Sequence, residues 1–74
     1  MLSDEIMIEW YKGHKVAGAK YVLDMAVLIQ EGEFSGSKGS VISLESLEPK
    51  VTYLVETSEG RARVIEEEYL APIT

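Results

Sequence analysis

The chain has 74 residues, 46% hydrophobic and 27% charged, and no cysteine. That is the make-up of a folded globular domain, one at most, and it excludes a disordered tail, a disulfide scaffold and a thiolate zinc site. The net charge of −6 lies wholly in residues 24–74, where ten acids face four bases, while residues 1–23 sum to zero; such a surface repels phosphate backbones and anionic lipid and draws basic protein surfaces.

Taken in chain order, the first element is a helix over residues 4–12. Ser3 can cap it, Asp4 and Glu5 occupy its first turn, and Lys12 precedes Gly13. Ile6-Ile8-Trp10 also alternates as a strand would, but the boundary signals decide for a helix. Residues 13–23 read as an irregular connector with Gly13 and Gly18.

From residue 24 the apolar period changes to two. A strand is expected over 25–30, with Met25, Val27 and Ile29 on one face. Gly32, Gly36 and Gly39 then punctuate a loop, and a second strand covers 40–45. Residues 51–56 form the clearest strand, with Val51, Tyr53 and Val55 sharing a face. Thr57-Ser58-Glu59-Gly60 turns the chain into a returning strand over 61–66. Glu67-Glu68-Tyr69 suits a short turn, and residues 70–73 a last strand that lies at an edge or ends at Pro72, which has no N–H. Five short strands in so few residues must cover their apolar faces, and a bent sheet closed into a small barrel does so.

The apolar and glycine positions between Val27 and Val41 carry the most information: Val27-x-Ile29-x-x-Gly32-x-Phe34-x-Gly36-x-x-Gly39-x-Val41. This pattern resembles the KOW motif, a strand–loop–strand unit of SH3-like barrels. The resemblance covers roughly residues 24–73 and implies a mainly β fold: a five-stranded SH3-like barrel over 24–74 behind a short N-terminal helical arm, 1–23. The side chains fit that reading. Val27, Ile29 and Val41 can fill a core, and Phe34 can fold back over the barrel opening. KOW units contact RNA or other proteins in ribosomes and in transcription elongation factors. Here the loop carries Glu31, Glu33 and Lys38, a net −1, which points to a protein partner.

No catalytic set can be assembled. Gly32-Glu33-Phe34-Ser35-Gly36-Ser37-Lys38 lacks the Gly-Lys-Ser/Thr order of a phosphate loop. His14 is the only histidine, and no Gly-x-Ser-x-Gly elbow is present. Glu66-Glu67-Glu68 reads as a solvated rim, with Glu66 and Glu68 on one side and Glu67 on the other. No cofactor and no metal site is expected. The longest apolar run, Met25 to Ile29, is five residues, against about 20 for a membrane helix. Neither a membrane span nor a secretory leader is expected, which places the chain in the cytoplasm.

The sequence therefore predicts a non-enzymatic protein-interaction module. Its partner would be a protein with a basic surface, and an edge strand could also pair with a second copy. Candidate contact residues are Glu33, Phe34 and Lys38 in the glycine-rich loop, and Trp10 and Tyr11 in the arm. The alternative is an RNA-binding accessory factor of transcription or translation. It would use the loop together with the arm, where aromatics alternate with Lys12, Lys15 and Lys20. The bland reading of that mixture is that Trp10 and Tyr21 pack the arm onto the barrel, and a domain this small favours it.

Overall fold

The computed structural model describes residues 2–73. Its first element is the helix α1 (Asp4–Tyr11). Ser3 Oγ accepts from the Ile6 N–H at 3.2 Å, and two acids sit in the first turn where the helix dipole favours them. At the other end the Gly13 N–H donates to Trp10 O and the His14 N–H to Glu9 O, the paired bonds of a Schellman ending. The helix thus stops one residue before the expected limit, with Lys12 as its C-cap.

Five strands follow: β1 (Ala26–Ile29), β2 (Lys38–Ser46), β3 (Thr52–Thr57), β4 (Ala62–Glu66) and β5 (Leu70–Pro72). They form one antiparallel sheet in the order β4-β3-β2-β1-β5. The strands begin and end within two residues of the expected limits. Met25 falls just before the ladder and is exposed at 36%, unlike Val27 and Ile29, which are fully buried. Pro72 both ends β5 and lies on an edge strand, as its missing N–H requires.

Gly39 lies in β2 rather than in the loop. It faces Thr57 of β3, and a Cβ there would stand 2.6 Å from the Glu56 carbonyl oxygen. It is needed for close approach of two backbones, a second use of glycine that sequence spacing does not separate from loop-making.

Two register breaks in the β2–β3 ladder, between Val41 and Ser43 and between Leu44 and Ser46, bend β2 along its length. The ends of the sheet reveal how far it curls. β4 and β5 occupy opposite edges, yet only a 3-10 turn, Glu67–Tyr69, separates them in the chain. Across a flat sheet four strand spacings would be about 19 Å. Four extended residues reach at most about 14 Å, and a 3-10 turn less. The turn is bonded to both sides of the seam: the Glu67 N–H donates to Val51 O at 2.8 Å, and Tyr69 O accepts from the Gln30 N–H at 2.7 Å. No ladder joins β4 to β5, so the sheet is curled but open.

The concave side holds one core. Val27, Ile29, Val41, Leu44, Tyr53 and Val55 from the first three strands are at most 1% exposed. The segment before the sheet completes that core with Trp10, Val16, Ala19 and Tyr21. Connector residues 13–23 are irregular but not peripheral, because their small and aromatic side chains cover apolar surface the five strands leave open. No helix among the described residues is long and apolar enough to cross a membrane.

Candidate functional site

The sheet's inner face is spent on the core, which leaves the outer face, the edges and the loops to solvent. The outward residues follow from the pleat. Tyr53 and Val55 point inward, so Thr52, Leu54 and Glu56 point outward, with Val64 opposite Leu54 on β4 and Ser43 opposite it on β2. Val64 is 58% exposed and Leu54 half-buried.

The helix extends this row. Tyr11, 45% exposed, places its hydroxyl 2.7 Å from Ser43 Oγ. Ser43 gives its single proton to Glu45 Oε2 at 2.7 Å, so Tyr11 is the donor to Ser43. One turn back, Ile8 is 54% exposed. The outcome is an outward row that runs from Tyr11 through Ser43 to Leu54 and Val64, with Ile8 one turn back on the helix and the exposed carboxylates Glu45 and Glu56 on neighbouring positions.

The five candidate contact residues are dispersed. Trp10 is 0% exposed; its Nε1–H donates to Tyr21 O at 3.0 Å, and its ring packs edge-on to Tyr11 and tilted against Tyr53. Packed in this way it offers no surface to a partner, and the arm's aromatics divide into one core residue and one surface residue. Phe34 is half-buried against the core, with the Arg63 guanidinium 5.3 Å from its ring centre, so the loop reaches across to β4. Glu33 is exposed in the same loop. Lys38 is exposed at the start of β2, beside Glu56, Thr57 and Ile73 in a shallow depression of about 620 Å³.

The triple-glutamate run has a structural task that its sequence does not announce. Lys50 Nζ lies 3.0 Å from both Glu66 and Glu68, which holds its pKa above the ordinary lysine value. Glu67, instead of lying on a solvated rim, turns the other way. Its Oε2 accepts from the Tyr53 hydroxyl at 2.6 Å and from the Lys20 N–H at 2.8 Å. The Tyr53 hydroxyl in turn accepts from the Tyr21 N–H at 3.1 Å, and the Tyr21 hydroxyl donates to Leu70 O at 3.0 Å. Burial pushes the Tyr53 hydroxyl well above the usual tyrosine pKa, and the Glu67 hydrogen bond adds to this. The network ties the connector to β3 and to the turn before β5.

His14 Nδ1 lies 2.7 Å from Glu9 Oε2 at the helix end, and both are exposed. That hydrogen bond, with Lys12 nearby, holds the Glu9 carboxyl below its ordinary value. Among the described residues no three of His, Asp and Glu gather closely enough to hold a metal ion.

Leu54 and Val64 could have been found in the sequence. Each breaks the polar-outside half of its strand's alternation, but their significance depends on pairing them across strands, which only the register gives. Compared with protein-family models, with curated proteins and with solved structures, the chain matches none.

Proposed function

We propose that this chain is a small SH3-like barrel of the KOW kind that works as a non-enzymatic protein-interaction module. The fold reading is supported by full burial of Val27, Ile29 and Val41, by Phe34 lying against the core, and by β5 returning beside β1. The functional reading rests on one observation: an outward strip of Ile8, Tyr11, Leu54 and Val64 on a domain whose net charge is −6. A domain with so few large apolar side chains gains most by burying them, and exposed ones grouped beside polar residues mark an interaction surface. The partner is a protein presenting apolar side chains flanked by Lys or Arg, so that Glu45 and Glu56 meet opposite charge.

The test is capture from a lysate on immobilised wild type and on an Ile8→Glu/Leu54→Glu variant whose circular dichroism matches wild type, each with and without nuclease. The expected result is a set of proteins held by wild type, lost by the variant and indifferent to nuclease. Equal retention on both baits would overturn the choice of surface. Loss of every partner on nuclease treatment would overturn the protein reading in favour of RNA.

A further inference from the structure

The two edges of the sheet differ. β5 is three residues long and ends at Pro72, which leaves a short and poorly pairing edge. β4 has five residues, no proline and an unbroken register with β3. Its backbone phase is fixed at both ends: the Thr57 N–H donates to Arg61 O, and the Glu67 N–H to Val51 O, each at 2.8 Å. Odd-numbered residues therefore bond to β3, and Ala62, Val64 and Glu66 aim their backbone groups away from the sheet. The Ala62 carbonyl is met by Arg63 Nη1 at 3.0 Å, which leaves its second lone pair. The other outward groups face no strand, since β4 pairs only with β3.

We propose that β4 is a self-pairing edge, through which two copies of this chain join antiparallel, centred on Val64, into one ten-stranded sheet. The strand's charge order selects this occupant. Arg61-Ala62-Arg63-Val64-Ile65-Glu66-Glu67-Glu68 runs from basic to acidic. Antiparallel pairing centred on Val64 sets Arg61 of one copy opposite Glu67 of the other and Arg63 opposite Ile65, so the basic end of each strand lies beside the acidic end of its mate, whereas parallel pairing would set like over like. The phase allows it: the outward-bonding residues match as Ala62 with Glu66, Val64 with Val64 and Glu66 with Ala62. On the outer face the two Val64 side chains then meet across the two-fold axis, each with its own Leu54 behind it, which lowers the 58% exposure of Val64. The −6 charges of the two copies repel at long range, but salt confines that repulsion to about 8 Å at physiological strength. An edge ladder this short makes a weak, concentration-dependent dimer.

The dimer shares Val64 with the strip assigned to a partner, so the two would compete for it, but self-association is measured on the pure protein and its failure is distinguishable from failure of the partner reading. Sedimentation velocity of the full chain should show a reversible monomer–dimer equilibrium below about 1 mM, the weak limit of specific affinity. Val64→Lys and Val64→Glu, each placing a charge opposite itself across the two-fold axis, should weaken association at least about tenfold. Mixing the two variants should restore it, because Lys then faces Glu. Both substitutions are at an exposed position, and unchanged circular dichroism will verify the fold. A wild type that stays monomeric throughout, or variants that associate as wild type does, would overturn the proposal. A mixture that stays monomeric would overturn the register. Wild-type monomer that instead binds an extended Lys-Val-Lys-Val peptide would assign the edge to a foreign strand.

Discussion

Two glycines of one motif work by different physics. Gly36 sits at φ +92 with open space for 4 Å around the place a Cβ would take, so a side chain there meets backbone strain and no clash. Gly39 has room in φ but none in space, with Val55 Cγ1 at 2.9 Å and Glu56 O at 2.6 Å from its would-be Cβ. Gly36→Val and Gly39→Val should each destabilise by more than ~1 kcal/mol, and Gly39→Ala should already force the β2–β3 pairing apart. Urea denaturation checks this; unchanged midpoints in both valine variants would remove the physical basis of the motif. Val55 is 0% exposed opposite Val41. Val55→Ala should therefore cost about 1–3 kcal/mol through lost burial and the cavity left behind.

At the scale of elements, the arm and the sheet stabilise each other. Trp10, Tyr21 and Tyr53 are buried together, with Tyr21 and Tyr53 ring centres 5.6 Å apart, and Glu67 closes the polar side of the cluster. Trp10 emission should be blue-shifted in the folded protein and move red on unfolding; a solvent-like native spectrum would mean the arm is not docked. The cluster also has an alkaline limit. Folding raises the Tyr53 pKa, chiefly by burial, so the folded state prefers the neutral hydroxyl. Its contribution is complete below the unfolded tyrosine value of about 10 and is lost as pH rises beyond it. Melting temperature should fall steeply above that pH in wild type and less steeply in Tyr53→Phe; parallel curves would show that Tyr53 titrates alike in both states. Much of this layout was legible. Capping residues located α1, alternation located β1 and β3, and turn residues bounded the other three strands, because all of these are local signals. What stayed hidden depends on distant parts of the chain: the connector's share of the core, the task of Glu67, the bulges in β2, and the apolar row that exists only once Leu54 faces Val64.

At the scale of the whole molecule, charge separates the possible partners. Six net negative charges lie on residues 24–74, and the arm offers only Lys12, Lys15 and Lys20 to a phosphate backbone. The two aromatics that would stack on bases are also split, since Trp10 is sealed in the core and Tyr11 is hydrogen-bonded to Ser43. What remains is three point charges without a stacking platform, and stacking contributes about 1–3 kcal/mol per base in proteins that hold single strands. Three phosphate contacts on a single strand give a salt slope of about −2, shallow beside that of dedicated binders. Affinity for short RNA and DNA should therefore be no tighter than roughly 10⁻⁵ M at physiological salt, the regime of non-specific contact. The measurement is a titration of oligonucleotides at two salt concentrations, wild type against Lys12→Glu/Lys15→Glu/Lys20→Glu. Both proteins should bind weakly and to similar extents, with Trp10 emission unmoved because its ring is not reached. Sub-micromolar binding that the triple variant loses would reverse the order of the two readings, and would require the arm to leave the sheet so that Trp10 could take part.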